Sequence, residues 1–144
     1  MTIDVRLLQA ADARLLGAVA DDVFDKPVRP DQARAFLADP RHHIAAALDD
    51  GRVVGFASAV HYLHPDKPPE LWINEVGVAS DHQRRGVGRA LIDCLLGHAR
   101  RLGCAEAWVL TEPDNTAARA LYRAAGGTES GPVVMVSFRL SEPA

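Results

Sequence analysis

The sequence is poor in cysteine, carries no excess of positive charge and contains no long apolar run. Cys94 and Cys104 are its only thiols. No C-x-x-C pair exists, and two cysteines cannot frame a disulfide scaffold in a chain of 144 residues. A reducing, cytoplasmic setting is the expectation, with both thiols serving as buried structural groups among aliphatic neighbours. The 16 Lys+Arg stand against 19 Asp+Glu, a formal charge of -3, and no basic stripe stands out. Nucleic-acid binding as the main role is thereby disfavoured. No apolar stretch approaches the ~18 residues that span a bilayer. Met1-Thr2-Ile3-Asp4 lacks the basic start and apolar run of a signal peptide. The 6 histidines do not show the i, i+4 spacing beside a carboxylate that marks a zinc helix, so no metal site is expected. No repeat, low-complexity tract or linker interrupts the chain, and residues 1–144 read as a single domain.

What is present is an alternation of strand and helix patterns. Hydrophobic residues make up 48% and charged residues 24%, the balance of an ordinary soluble domain. Residues 3–8 alternate and read as a strand. Asp12 can cap a helix with apolar positions Leu15, Leu16, Val19 and Val23, broken by Pro27 and Pro30. A second helix is expected over residues 31–37. Strands follow over residues 43–48 and 52–61, joined by the turn Asp49-Asp50-Gly51. Residues 71–79 form another strand. The clearest helix covers residues 87–102, where Val87, Leu91, Leu95 and Leu102 share one face and Gly103 stops it. Residues 105–111 read as a strand. Pro113-Asp114-Asn115 opens a last helix, which Gly126-Gly127 ends, and residues 133–140 read as a final strand. The class is α/β with a mixed sheet, in the order β-α-α-β-β-β-α-β-α-β. The hairpin implies antiparallel pairs and the crossovers imply parallel ones.

Gln83-Arg84-Arg85-Gly86-Val87-Gly88-Arg89 lies between a strand and a helix start. Glycines there let successive N–H groups turn toward one anion, and the helix adds its positive end. Arg84, Arg85 and Arg89 add cations, so the segment is physically a pyrophosphate cradle. A flexible turn with solvated arginines is the bland alternative. A Rossmann fingerprint is disfavoured, because Leu91 stands where its third glycine belongs. A second motif, Asn115-x-x-Ala118-x-x-Leu121-Tyr122-x-x-x-Gly126, occupies the next helix. Asn115 and Tyr122 lie two turns apart on one face, while Leu121 points toward the core.

The paired motifs resemble those of the Gcn5-related N-acetyltransferase (GNAT) superfamily, most strongly between residues 71 and 126. The element order is similar to that fold as well. The resemblance implies acetyl-CoA as donor, with its pyrophosphate on the N–H groups of residues 85–89, Val87 and Gly88 included. Gln83 belongs to the same motif. The resemblance also implies that the pantetheine arm runs along Val76-Gly77-Val78 as an added strand, with Asn115 in contact. It places Tyr122 near the sulfur and makes the N–H of Val78 an oxyanion donor. One departure stands out: Gly127 follows the helix-ending glycine, where an aromatic residue is usual. That bears on how the last strand packs.

Acetyl transfer needs a neutral amine, a stabilised thioester oxygen and a proton for the leaving thiolate. Tyr122 is the candidate acid. Glu75 is the candidate base, since Leu71, Ile73, Glu75 and Gly77 alternate onto one face and a carboxylate there should be partly desolvated. Its alternative role is a carboxylate bonded to a neighbouring strand or to substrate. Trp72 is expected in the core. Asp21, Asp22, Asp25 and Asp31 cluster near the first helix end, Asp66 and Glu70 lie before the Glu75 strand, and with Glu75 these carboxylates would attract a cationic acceptor. Solvated helix ends are the bland alternative for them. A looser likeness over residues 24 to 126 resembles the aminoglycoside 3-N-acetyltransferases and implies a small-molecule amine. Peptide amino termini, protein lysines and a non-catalytic coenzyme A sensor are the other readings. A homodimer is a further implication of the resemblance.

Overall fold

A computed structural model describes residues 2–142. Five strands form one sheet in the order β1-β2-β3-β4-β5. They are β1 (Asp4–Leu7), β2 (His42–Asp49), β3 (Arg52–Tyr62), β4 (Glu70–Val78) and β5 (Glu106–Val109). The first four pair antiparallel and β5 joins β4 in parallel. Helices α1 (Pro30–Ala38), α2 (Val87–Arg101) and α3 (Thr116–Ala124) complete the frame. This is the mixed α/β class that the alternation of patterns implied. Among the described residues, no helix is long and apolar enough to cross a membrane.

The apolar face of α2 explains its place. Val87, Leu91, Ile92, Leu95 and Ala99 are buried, and they cover one side of the sheet. The contact is close because Gly55 has no side chain. A Cβ there would meet Val87 Cγ1 at 3.1 Å and Leu91 Cδ1 at 3.3 Å. Gly103, at φ +81°, ends the helix in the left-handed region. On the opposite side Phe24 stacks on Phe56 with ring centroids 4.0 Å apart. Gly77 is required there, because a Cβ would collide with the Val23 carbonyl and press on the Phe56 ring.

Several expectations are corrected. The first helix is a 3-10 helix over Ala10–Gly17 and does not reach Val23. Backbone pairing wins instead: Val53 N donates to Ala18 O at 2.8 Å and Ala20 N to Val53 O at 2.9 Å. The apolar spacing of residues 15–23 therefore serves a parallel bridge between Val19 and Val53. β5 is shorter than residues 105–111. The final strand over residues 133–140 does not form, and those residues lie exposed outside the sheet.

A bulge corrects the face of Glu75. Ala59 pairs with Ile73, but Ser58 pairs with Glu75, leaving Asn74 as the extra residue. Paired residues share a face, so Ile73 faces α2 while Glu75 lies on the opposite face with Trp72 and Gly77. Glu75 is exposed, so the desolvation expected for it is absent. Trp72 is half-buried on that face and stacks on Trp108 at 5.7 Å. Cys94 and Cys104 are half-buried rather than fully enclosed, and burial pushes both thiols up.

Three histidines form a chain beneath the far end of α2. His43 Nε2 meets His61 Nδ1 at 2.7 Å, and His98 Nε2 meets His43 Nδ1 at 3.0 Å. Neutral imidazoles suit such a chain, since each offers one N–H and one lone pair. Burial, and then the neighbouring rings, push His43 down to about 4.

Two outcomes are expected. A group held low in the folded state stabilises fully above its unfolded value and loses that contribution as the pH falls. His43 should therefore cost the fold roughly 3 kcal/mol between pH 6.5 and 4, at ~1.4 kcal/mol per unit. His82, raised by Asp49 and then Asp81, has the opposite sign: its contribution is complete below 6.5 and is lost only as the pH rises. It leaves the acid window unchanged. Urea titrations across that window should be flatter for a His43→Asn protein. Gly77→Ala should destabilise by about 1–3 kcal/mol in the same assay, by forcing Val23 off the strand.

Candidate active site

The site begins where β4 and β5 part. Their pairing runs from Glu70–Glu106 to Ile73–Val109 and stops. Residues 75–78 then have a β3 partner on one side only. Ala79 N donates to Val54 O at 2.8 Å, and an antiparallel ladder alternates from that point. The N–H and C=O of Val76 and Val78 consequently face outward, along the open edge. Gln83 confirms the direction, since its Nε2 donates to Val78 O at 3.0 Å. Gln83 thus braces the strand end with its amide, a use different from holding phosphate.

The turn that follows is built from left-handed residues. Arg84 has φ 62° and Gly86 has φ 78°. Gly86 is the N-cap of α2, no side chain caps that helix, and its first turn carries no acid. A Cβ on Gly86 would meet nothing within 4 Å, so the space before the amides is open. Uncapped helix amides facing open space fit an anion. Arg84, Arg85 and Arg89 are exposed around the turn. Arg89 Nε lies 3.1 Å from Asp93 Oδ1, an exposed pair worth under ~1 kcal/mol and readily exchanged for a stronger anion. Val87 turns its side chain into the core, leaving its N–H to the turn. Gly88 serves packing instead. A Cβ there would meet Leu121 Cδ2 at 3.2 Å, so this glycine lets α2 and α3 approach.

His82 fixes the turn to the sheet. Its Nε2 lies 2.8 Å from Asp49 Oδ2 and its Nδ1 lies 2.7 Å from Asp81 Oδ1. These contacts hold the imidazole above its usual pKa, Asp49 contributing most.

Asn115 is the N-cap of α3, and its Oδ1 accepts from Ala118 N at 3.1 Å. It therefore sits before the helix proper, and its oxygen is committed to the cap. Tyr122 is half-buried on the same helix, next to the Leu121 that packs on Gly88. Burial raises the phenol, which keeps its proton at neutral pH.

The acidic segment is brought to the same region. Val23 passes over Gly77, two positions from Glu75 on the same face. Asp22 Oδ2 accepts from Ser80 N at 2.9 Å, anchoring the segment to the end of β4. Ser80, through its side chain first and then this backbone N–H, holds the carboxyl below its usual pKa. Asp21 and Asp25 stay exposed and line an open hollow with Phe24 and Lys26. Of the acidic cluster, then, Asp22 is a structural tether.

One group was legible in the sequence only through Glu70, and its aromatic members were not. Trp108 Nε1 donates to Tyr62 Oη at 2.6 Å, and Tyr62 donates to Glu70 Oε1 at 3.2 Å. Glu70 Oε2 also meets His64 Nε2 at 3.0 Å. With Trp72 these residues make a half-buried aromatic shelf on the Glu75 face. Its members come from three strands, and only the register joins them. Among the described residues, no group of three or more His, Cys, Asp or Glu is placed to hold a metal ion.

Comparison with known proteins agrees with this geometry. The profile of the Acetyltransferase (GNAT) family matches residues 9–126. The chain is 32% identical over 126 residues to the N-alpha-acetyltransferase RimI of Mycobacterium tuberculosis, covering 86% of this chain and 77% of that protein. It is 42% identical over 98 residues to the mycothiol acetyltransferase of Geodermatophilus obscurus, but there covers 65% of this chain and only 30% of the relative. In fold it is similar to the aminoglycoside acetyltransferase meta-AAC0020, from an uncultured soil metagenomic sample, in complex with sisomicin. The TM-score is 0.84 at 18% identity, over 96% of this chain and 97% of that one. Aminoglycoside N-acetyltransferase AAC(6')-Iy in complex with CoA gives a TM-score of 0.74 at 23% identity, over 96% and 95% of the two chains. The match over residues 9–126 and the RimI relative place the chain in the GNAT acetyltransferase family, and it is an acetyl-CoA-dependent N-acetyltransferase.

Proposed function

We propose that the acceptor is a primary amine on a small cationic molecule, an aminoglycoside or a similar polyamine-like compound. The observation that carries this reading is the exposed Glu75, set between the acidic segment at Gly77 and the aromatic shelf at Trp72. A carboxylate attracts an ammonium group, and flat indole faces suit sugar rings and cations. Exposure favours Glu75 as a holder of the acceptor over a desolvated base. Asp21 and Asp25 extend the negative field, with Asp22 supporting them from behind.

The donor supplies an activated acyl thioester. The N–H groups at residues 85–89 would hold its diphosphate, and the outward groups of Val76 and Val78 would pair with its arm. In direct attack, the amine first gives its ammonium proton to water, the neutral nitrogen bonds the thioester carbon as the C–S bond breaks, and the nitrogen's second proton passes to water, from which Tyr122 recovers the proton it gives to the sulfur. The Val78 N–H can donate to the oxygen as charge grows there. Tyr122 holds a proton for the departing sulfur. Gly88 and Leu121 set the distance between the turn and that phenol.

A peptide amino terminus is the second reading, favoured by the 32% identity to a RimI N-alpha-acetyltransferase. A panel of aminoglycosides, polyamines and short peptides, read by mass shift, separates the two. Acetylated aminoglycoside or polyamine is expected, and Glu75→Gln should lower kcat/KM for it about 10-fold, or ~1.4 kcal/mol. Products only from peptides would overturn the small-acceptor reading. Coenzyme A binding without any product would leave a sensor in its place. Tyr122→Phe should lower kcat by roughly 10²-fold or more while coenzyme A affinity, measured by calorimetry, stays within twofold.

A further inference from the structure

The link between β4 and the turn at residues 84–89 is short and held at every step. Ala79 N donates to Val54 O at 2.8 Å, and His82 N donates to Ala79 O at 2.8 Å. Ser80 N donates to Asp22 Oδ2 at 2.9 Å. Gln83 Nε2 donates to Val78 O at 3.0 Å. These bonds fix the backbone up to the left-handed Arg84, at φ 62°. Residues with a side chain rarely adopt that conformation, so what precedes it must be firm.

Within residues 79–83, His82 is the buried titratable group, with 11% of its side chain exposed. Its ring has a partner at both nitrogens. Nε2 lies 2.8 Å from Asp49 Oδ2 on β2, and Nδ1 lies 2.7 Å from Asp81 Oδ1 beside it. A neutral imidazole has one N–H and one lone pair, and that lone pair would face one of these carboxylates. The imidazolium, with two N–H groups, satisfies both. The two carboxylates, Asp49 first, accordingly hold the ring above its usual pKa.

The other charges nearby are placed differently. Asp22 arrives through Ser80 from the segment over Gly77, and Arg52 acts on that carboxylate. Arg84 and Arg85 follow on the turn and are exposed. Without its proton, His82 would leave the charges of Asp49 and Asp81 uncompensated next to the turn. An anion approaching the amides of that turn would then meet repulsion.

Given the diphosphate seat proposed at residues 85–89, we infer that His82 is a positioning residue for the acyl donor, its imidazolium tying the turn to β2 and cancelling the charge of Asp49 and Asp81. His82 needs no contact with the donor for this. It acts through the backbone that it holds and through the field at the turn. Donor affinity therefore follows the proton on a residue outside the reacting groups.

The Cε1–H signal of the ring in NMR reads its protonation, and calorimetry with coenzyme A reads affinity. The wild-type ring should titrate above the ordinary histidine value. Affinity should fall roughly 5-fold or more between pH ~7 and ~9, where the donor's phosphates are already ionised. His82→Gln retains an N–H for Asp49 but no charge. It should bind coenzyme A roughly 5-fold more weakly at pH ~7 and lose little more by pH ~9. Asp49→Asn should move the inflection of the ring, and the fall in affinity with it, to lower pH. A wild-type ring that titrates at or below the ordinary value overturns the inference, with no variant required. So does wild-type affinity that stays flat over that range, or a His82→Gln profile with the wild-type slope. Amide shifts separate this inference from the diphosphate seat. Coenzyme A that binds without moving the amides of residues 85–89 overturns both, whereas shifts there with flat affinity overturn the role of His82 alone.

Discussion

The early end of the β4–β5 ladder governs this molecule. Four residues of β4 pair with β5, and the strands then part after Ile73 and Val109. Backbone groups cannot remain unpaired without consequence, so the parting creates a demand for a strand-like ligand. Val76 and Val78 meet that demand by facing outward. The bulge at Asn74 lies at the same place and turns Glu75 away from α2. One irregularity thus accompanies both the open strand edge and the outward carboxylate of Glu75.

The motif residues that look like a single ligand cradle divide their labour. Arg84 and Gly86 supply left-handed backbone. Gln83 braces the carbonyl of Val78, Gly88 admits Leu121, and Asn115 caps α3. Only part of the signature is therefore aimed at ligand. The rest sets the geometry in which the ligand-facing part is effective. Because Gly88 touches Leu121, and Tyr122 follows Leu121, the turn and the phenol are held by one packing contact.

Paired polar groups distribute the remaining constraints. His82 ties the turn to β2 through Asp49, and Asp22 ties the acidic segment to Ser80. The His61–His43–His98 chain secures the far end of α2. Each is a polar group with a fixed partner, so each adds orientation as much as stability. The Glu75 face, proposed for the acceptor, remains open. This is the part of the surface on which relatives of different substrate can differ while sharing a fold.

Local chemistry sufficed for much of this. The periodicity of residues 87–102, the stop at Gly103 and the hairpin around Asp49-Asp50-Gly51 are properties of neighbouring residues, and they were legible in the sequence. The Gly86 turn and the Tyr122 helix belong to that group as well. What required the tertiary structure depends on partners distant in sequence. Residues 18–20 leave their helical spacing because Val53 offers backbone bonds. The bulge at Asn74 inverts the expected face of Glu75, since strand alternation holds only while the ladder is regular. Tyr62, Glu70 and Trp108 meet only through register. Residues 133–140 have the pattern of a strand but pair with no strand of the sheet, because pattern states what a segment can pair with and only the tertiary structure decides whether it does.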